Sequence, residues 1–385
     1  MRWNFKFLTA FFIFTVICLF TAGCITEDTN NTENTKNTNN ADAPVTKEMQ
    51  DLSWLYVPAS LGYNLTGNYS VISFVGYSED IGFSYEAFDD EIKISDQYDR
   101  LFKLTDNCGK SYYTVYDKDK RLISSDSAKN SSDPWQTHCC ILSDSEIRMA
   151  FAGRINGSLY ADGYNLVKEC KEPSILSVPN LTGIWDIAKS ESGSKNMTVE
   201  KMNGPVFYGS FCQTDNNLMN EYDFVASIFD GDENSVSAVC YDEKGDFGRI
   251  EVSEGKFVIN RICEDGIFSD VYLKRGESKP DLNFAEVTDI SGIYQDMYYF
   301  GVLDDGIEKN YYDYLNYSWS LRKSGTGNYI IESTGIDTGF LHQYPDNSVF
   351  YRHNGHYSNG WIEKDTIYSF FADEDSAEMY VSKRR

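Results

Sequence analysis

The stretch Leu181-Thr182-Gly183-Ile184-Trp185 determines how this chain is organised, because it occurs three times in related form. It appears upstream as Leu65-Thr66-Gly67-Asn68-Tyr69 and downstream as Ile290-Ser291-Gly292-Ile293-Tyr294. The three glycines are 116 and 109 residues apart. Similarity at a regular spacing of this kind indicates tandem copies of one structural unit.

Two further markers recur in the same order after each copy. The middle marker is Tyr116-Asp117, then Tyr241-Asp242, then the looser Tyr344-Pro345-Asp346. The closing marker is Leu166-Val167-Lys168, then Tyr272-Leu273-Lys274, then Tyr380-Val381-Ser382-Lys383. Polar segments with a proline, 169–174 and 276–281, separate the copies and are typical of linkers. We therefore predict three modules, at residues 53–170, 175–276 and 283–385.

Within a module, apolar residues alternate with polar ones, which indicates β-strands. The second module shows eight such segments: Ile184–Ala188, Met197–Lys201, Val206–Cys212, Tyr222–Phe229, Val236–Tyr241, Gly248–Val252, Lys256–Ile262 and Phe268–Lys274. Turn residues separate them, as in antiparallel hairpins. The sequence predicts an all-β protein of three tandem, antiparallel, barrel-like modules with about eight up-and-down strands each. The rival architecture is one larger sandwich or a propeller-like array.

Gly183-Ile184-Trp185 resembles the first strand of lipocalin-like and avidin-like barrels. This resemblance implies that the aromatic side chain fills one end of the barrel and that the glycine admits a close backbone approach. It also implies that the open end of the barrel can hold a small ligand. The other two modules have Tyr69 and Tyr294 in place of the tryptophan.

The N-terminus predicts export. Arg2 and Lys6 precede an apolar run from Phe7 to Phe20, and small residues follow it, as in a secretion signal. Thr21-Ala22-Gly23-Cys24 resembles the lipobox of bacterial and archaeal lipoproteins, which implies cleavage before Cys24 and a lipid on its thiol. The alternative is an uncleaved membrane helix, since Phe7 to Ile25 carries no charge.

Either alternative anchors the chain to the membrane and places the rest on the extracytoplasmic face. Residues 1–23 are then a lipoprotein signal peptide. Residues 24–52, rich in Asn and Thr and poor in large apolar side chains, form a disordered stalk.

The charge of the exported part excludes some partners. Removing residues 1–23 leaves 32 Lys and Arg against 59 Asp and Glu, a formal charge of −27. Such a surface repels nucleic acid and anionic lipid headgroups. We expect no nucleic-acid partner.

Motifs for catalysis and metal binding are absent. The sequence has neither His-Glu-x-x-His nor Gly-x-Ser-x-Gly. Asp230–Asn234 starts like a calcium loop but lacks its glycine, and His353–His356 is typical of a hairpin tip. His138-Cys139-Cys140 would direct its two thiols to opposite faces of a strand. We predict no catalytic residue, no metal and no cofactor, and hence no enzyme.

Seven cysteines follow Cys24: Cys108, Cys139, Cys140, Cys170, Cys212, Cys240 and Cys263. Export favours disulfides, and an odd number leaves at least one thiol free or intermolecular. The pairing cannot be deduced from the sequence. Export also makes N-glycosylation accessible at Asn64, Asn68, Asn130, Asn156, Asn180, Asn196 and Asn316.

Tyrosine is concentrated in the third module, and the candidate binding face consists of Tyr311, Tyr312, Tyr314, Tyr317 and Trp319. If these residues lie on a strand, Tyr312 and Tyr314 share one face and Tyr311, Tyr317 and Trp319 share the other. Such aromatic residues either fill a barrel or stack on a sugar or peptide.

Two functions remain open. The first is a surface-anchored module that binds a small molecule or a glycan. The second is a purely structural or interaction protein of the cell envelope, with filled barrels. An open, aromatic-lined barrel interior with a few polar groups would favour binding, and closed interiors would favour the structural role.

Overall fold

The computed structural model describes residues 64–85, 91–98, 101–105, 111–116, 122–126, 134–168, 173–215, 218–253, 255–263, 266–276, 287–303, 306–308, 317–333, 335–353, 356–372 and 376–385. The signal peptide, Cys24 and the stalk lie outside these ranges. Every regular element in the described part is a β-strand. None of the described segments forms a helix long and apolar enough to cross a membrane.

The strands form three sheets, which we call barrels 1, 2 and 3. Barrel 1 consists of β1 (Gly67–Ser78), β2 (Gly82–Ser84), β3 (Glu91–Tyr98), β4 (Leu101–Thr105), β5 (Ser111–Tyr116), β6 (Leu122–Asp126), β7 (Trp135–Ser143), β8 (Glu146–Ile155) and β9 (Ser158–Val167). Barrel 2 consists of β10 (Gly183–Ser190), β11 (Ser194–Asn203), β12 (Val206–Asp215), β13 (Leu218–Gly231), β14 (Ser235–Asp242), β15 (Phe247–Ser253), β16 (Lys256–Ile262) and β17 (Ile267–Lys274).

Barrel 3 consists of β18 (Gly292–Leu303), β19 (Gly306–Glu308), β20 (Ser318–Lys323), β21 (Asn328–Ser333), β22 (Ile336–Gln343), β23 (Ser348–His353), β24 (His356–Glu363), β25 (Thr366–Ala372) and β26 (Ser376–Arg384). In each barrel the strands pair antiparallel in chain order, and the first strand also pairs with the last. The short β2 and β19 are added to β1 and β18. The predicted all-β fold of tandem, up-and-down, eight-stranded barrels is therefore confirmed.

Barrel 2 confirms all eight strands predicted for the second module. Tight turns join them, and glycines with positive φ angles occupy several of these turns, such as Gly204 between β11 and β12. Asp232 accepts hydrogen bonds from the backbone N–H groups of Asn234 and Ser235, at 2.8 and 3.0 Å. Residues 232–234, between β13 and β14, thus form a turn.

One set of contacts is repeated at the start of each barrel, and we call it the end clasp. In barrel 2, the Trp185 indole N–H donates to the carbonyl of Leu181 at 3.0 Å. In barrel 1, Tyr69 Oη donates to the carbonyl of Leu65 at 2.7 Å. Burying one such ring contributes roughly 1.5–3 kcal/mol.

Barrel 3 repeats this bond between Tyr294 and the carbonyl of Ile290, at 2.7 Å. All three rings are 1 % exposed. Each ring therefore fills one end of its barrel, as the resemblance implies.

A cation from the last strand completes the end clasp. Lys168 Nζ lies 5.0 Å from the centre of the Tyr69 ring and donates to the carbonyl of Asn64 at 2.6 Å. Lys274 Nζ lies 5.6 Å from the centre of the Trp185 ring and donates a hydrogen bond to the carbonyl of Asn180 at 2.9 Å. These contacts tie the first strand of the ring to its last strand.

The third cation is Arg384, one residue later than the Lys383 of the sequence marker. Its Nη1 donates to the carbonyl of Asp289 at 3.2 Å, and β18 pairs with β26 so that Tyr294 faces Arg384. A Cβ atom on Gly292 would lie 2.9 Å from Arg384 Cδ. The φ angle of Gly292, 150°, is also rare for residues other than glycine. The glycine of the motif is needed here because the stem of the cation packs on it.

The barrels pack into one compact unit, and barrel 1 contributes several small residues to its contact with barrel 2. Ala150, Ala152 and Ala161 of barrel 1 lie in the same buried cluster as Val225 and Val239 of barrel 2. Small side chains allow the two sheets to approach each other closely.

The linker between barrels 1 and 2 is held by Glu146. Its carboxylate accepts hydrogen bonds from the backbone N–H and the hydroxyl of Ser174, at 2.7 and 2.6 Å, and from Asn165 Nδ2 at 2.7 Å. The segment that follows barrel 1 is thereby fixed to its outer surface.

Replacing Tyr69 by Phe should destabilise the protein, because it removes the bond to Leu65 and keeps the ring. We expect a loss of about 0.5–1.5 kcal/mol in the free energy of unfolding, measured by urea denaturation. The control is Tyr317→Phe at an exposed ring, where we expect no change. Equal stability of Tyr69→Phe and the wild type would contradict the role of the end clasp.

Candidate functional site

The interior of barrel 2 is filled. One buried cluster extends from Trp185 at the clasped end through Phe207, Phe224 and Phe257 to Phe211. Beyond it, the Arg261 guanidinium lies 4.2 Å from the centre of the Phe211 ring. Barrel 2 therefore offers no space for a ligand between its clasped end and Arg261.

Two aspartates hold Arg261 in place. Its Nη1 lies 3.2 Å from Asp242 Oδ2, and its Nη2 lies 3.0 Å from Asp270 Oδ2, with all three side chains buried. Asp270 also accepts hydrogen bonds from the hydroxyls of Ser190 and Ser194, at 2.9 and 3.1 Å. Removing one partner of such a buried group would leave an uncompensated charge.

The pKa of Asp270 agrees with this arrangement. Burial opposes ionisation of this carboxyl group. Arg261 and the hydroxyls of Ser192 and Ser190 outweigh the effect of burial and keep the pKa below its usual value. Asp270 is therefore ionised at neutral pH and paired with Arg261.

Barrel 3 carries a buried acid with two neutral partners. Asp296 Oδ1 accepts hydrogen bonds from the Trp319 indole N–H at 2.9 Å and from Ser382 Oγ at 2.6 Å. The Trp319 ring also stacks on Tyr294 with 5.0 Å between the ring centres. Trp319 thus belongs to the packed interior of barrel 3.

The candidate aromatic face is only partly described. Tyr311, Tyr312 and Tyr314 lie outside the described residues. Tyr317 is 42 % exposed, whereas Trp319 packs against the barrel core, so these two side chains differ in exposure. The binding face itself stays a prediction.

Barrel 1 differs from barrel 2 at the end opposite its clasp. Its core cluster contains Met149 and Leu166 near the clasp, but none of Trp135, Phe151 and Tyr160. These three rings point inward by strand alternation and keep partial solvent exposure. Trp135 stacks on Phe151 at 5.4 Å, and Tyr160 meets the Phe151 ring edge-on at 5.7 Å.

Asp162 lies among these rings. It faces Phe151 on β8 and Gly76 on β1 across the ladder. Its neighbours Ala161 and Gly163 point outward to barrel 2, where a Cβ on Gly163 would lie 2.7 Å from Pro205 Cγ. Asp162 therefore points into barrel 1.

The carboxylate of Asp162 is incompletely satisfied. The Tyr160 hydroxyl is its hydrogen-bond partner. Oδ1 is shielded from solvent and has no hydrogen-bond partner among the described residues. Burial raises the pKa of Asp162 to about 7, and the bond from Tyr160 lowers it only in part. Barrel 1 thus presents one carboxyl group inside an aromatic-lined end.

A second candidate lies where the three barrels meet. Arg249 of barrel 2 donates to Ser348 Oγ at 2.8 Å and to Asp346 Oδ2 at 3.0 Å, and lies 4.3 Å from the centre of the Tyr344 ring. The adjoining cavity of about 10 Å³ also contacts Gln136 of barrel 1. It has room for about one water. This junction is therefore a structural contact between barrels.

The cysteine expectation is corrected for four of the seven residues. Cys139, Cys212, Cys240 and Cys263 form no disulfide. Cys139 and Cys240 belong to the cores of different barrels, and the Cys263 thiol donates to Asp246 at 2.8 Å. The described residues contain no cluster of three or more metal-ligating side chains. Cys108 and Cys170 lie outside the described residues.

The glycosylation candidates are placed as follows. Asn64, Asn68, Asn156 and Asn180 are exposed, Asn196 is half-buried, and Asn130 and Asn316 lie outside the described residues. The side chains of Asn64 and Asn180 accept hydrogen bonds from the hydroxyls of Thr66 and Thr182, both at 2.7 Å. These two asparagines therefore also shape the turn that starts the end clasp.

Sequence reasoning missed Asp162 although a signal was present. In Tyr160-Ala161-Asp162-Gly163-Tyr164, one face carries two tyrosines and an acid, and the other carries only small residues. In an antiparallel sheet with one solvated face, the polar residues ordinarily point to solvent. The small residues instead pack against barrel 2, which turns the acid inward.

Comparisons with known proteins identify no relative by sequence. No family model matches the chain, and no curated protein matches it. One similar solved structure is a DUF3598-family protein of unknown function from Nostoc punctiforme, with 8% identity, 83% of this chain and 96% of that chain covered, and a TM-score of 0.22.

Another similar solved structure is the isotype 1 transferrin binding protein B from serogroup B Neisseria meningitidis. It has 9% identity, 84% of this chain and 77% of that chain are covered, and the TM-score is 0.18. Both TM-scores are too low to support an argument about this chain.

Asp162→Asn should stabilise the protein at pH 8. The folded pKa of Asp162, about 7, exceeds its ordinary value, so wild-type stability falls as the pH rises from about 4 to about 7. Asparagine avoids this loss. We expect the melting temperature of the Asp162→Asn variant to exceed that of the wild type by about 5 °C at pH 8. The difference should be smaller at pH 5.

The control for this measurement is Asp186→Asn. Its hydrogen bond with Arg275 lowers the pKa of this exposed acid, so the variant should gain no stability at pH 8. A difference between Asp162→Asn and the wild type that is the same at both pH values would show that Asp162 ionises normally.

Proposed function

We propose that the protein is a membrane-anchored binding protein of the extracytoplasmic face, and that barrel 1 holds a small ligand in its open end. The observation that supports this most is the inward carboxylate of Asp162 among the partly exposed rings of Trp135, Phe151 and Tyr160. Binding sites typically combine apolar walls with few polar groups that fix orientation.

Barrel 2 supports the purely structural role for its own part of the chain. Its interior is filled, and Arg261 is paired twice. We propose that barrel 2 acts as a structural support between the binding barrel and barrel 3. The structural hypothesis for the whole protein would then apply to this barrel alone.

The anchor is proposed from the sequence. Cys24 after a cleaved signal would place the barrels beyond a stalk at the outer face of the membrane. A lipid anchor of this kind retains the protein near its ligand while the barrels stay in solution.

The ligand site is tested with N-phenyl-1-naphthylamine, a neutral apolar probe whose fluorescence rises in an apolar environment. We expect saturable binding at one site per chain. Thr137→Phe places a larger side chain beside Phe151, its partner across the strands, and should weaken binding at least tenfold. The control is Thr214→Phe at an exposed position, which should leave the affinity unchanged.

Thermal unfolding of both variants verifies that they fold. Absence of saturable binding by the wild type would contradict the proposed function. So would equal affinities of the wild type and a folded Thr137→Phe.

The anchor is tested with Cys24→Ser in cells that process lipoproteins. If the signal is cut before Cys24, the variant should accumulate as a precursor that is heavier by residues 1–23. Mass spectrometry of the membrane fraction measures this difference. Normal maturation of the variant would rule out the lipobox, and an uncut wild type would support the membrane helix instead.

A further inference from the structure

The inner wall of barrel 1 carries a single charge on the strands whose side chains are described. Strands β1, β7, β8 and β9 alternate between a face that packs on barrel 2 and a face that points inward. The inward positions of these strands beyond the clasp are Phe74, Gly76, Trp135, Thr137, Phe151, Gly153, Tyr160, Asp162 and Tyr164. Asp162 alone among them is ionisable near neutral pH.

Barrel 2 shows what the same fold does with inward carboxylates. Asp242 and Asp270 lie within 3.2 Å of the guanidinium of Arg261, and that cation rests on the face of Phe211. Carboxylate, cation and aromatic face thus form one buried unit. The energy of such a unit depends on all three parts, since an unpaired buried carboxylate is costly.

Barrel 1 has two of these three parts. It has the carboxylate, with Oδ1 shielded and without a hydrogen-bond partner in the described part of the chain. It has aromatic rings, with Phe151 directly across the ladder from Asp162 and in contact with both Trp135 and Tyr160. The inward positions of the four described strands supply no cation.

The two glycines near Asp162 are closely packed. A Cβ atom on Gly76, its neighbour on β1, would lie 3.0 Å from the Phe74 ring. A Cβ atom on Gly153, which lies across from Tyr160 on β8, would lie 2.6 Å from Trp135 Cβ. A ligand cation would therefore reach Asp162 from the side of the partly exposed rings.

We propose that barrel 1 binds a small organic monocation, an alkylammonium or guanidinium group on an apolar body, with the charge on Asp162 and the body against Trp135 and Phe151. This inference rests on the proposed function and names the ligand class of the same site. The ligand would supply the cation that Arg261 supplies in barrel 2, since Phe151 stands at the ladder position of Arg261 in barrel 1.

The test compares 2-phenylethylammonium with 2-phenylethanol, which has nearly the same shape and no charge. Both are titrated by calorimetry into the full chain at pH 8, where Asp162 is ionised. We expect the cation to bind at least tenfold more tightly than the alcohol. Asp162→Asn should remove this preference and leave the affinity for the alcohol within about twofold.

Asp186→Asn is the matched control, because it removes an exposed carboxylate from the same acidic protein. It should leave the preference for the cation intact. Equal affinities for the two compounds, an unchanged preference in Asp162→Asn, or an equal loss in Asp186→Asn would each overturn the proposal. If N-phenyl-1-naphthylamine still binds in that case, the binding function stands and only the ligand class is wrong. If it does not bind, both fail.

Discussion

The end clasp is the contact on which the rest of the structure depends. An aromatic ring fills one end of each barrel and donates a hydrogen bond to the carbonyl four residues before it. A lysine of the last strand lies over this ring in barrels 1 and 2, and Arg384 is the cross-strand partner of the ring in barrel 3. A ring of strands must join its first strand to its last to remove its edges. In each barrel, one short motif supplies a buried aromatic ring and, at the same end, the contacts that join the first strand to the last.

Because the clasp fixes one end of each barrel, the other positions inside it are free to differ. Barrel 2 fills its interior and ends with Arg261 between two acids. Barrel 3 satisfies Asp296 with an indole and a hydroxyl. In barrel 1, Asp162 has one neutral hydrogen-bond partner among the described residues and lies among partly exposed rings. Three copies of one fold thus combine structural and candidate binding roles in a single chain.

Much of the fold could be predicted from the sequence, because local chemistry determines it. Glycine and aspartate turns separated the strands of barrel 2, and Gly-x-aromatic marked the start of each barrel. Features that depend on register or on packing between barrels could not be predicted. Examples are Arg384 rather than Lys383 in the clasp, Trp319 packed against the core of barrel 3, and cysteines such as Cys139 and Cys240 in separate cores. Asp162 belongs to this group, since its direction follows from the contact between Gly163 and barrel 2.

The measurement that tests the central claim most directly is fluorine NMR of the chain labelled with 5-fluorotryptophan, with each resonance assigned by a single Trp→Phe replacement. Exchange of H₂O for D₂O shifts only those resonances whose rings contact solvent. We expect a shift for Trp135 in the open end of barrel 1 and none for Trp185 in the filled barrel 2. A Trp135 resonance as insensitive as that of Trp185 would show that barrel 1 is also closed, and would contradict the account.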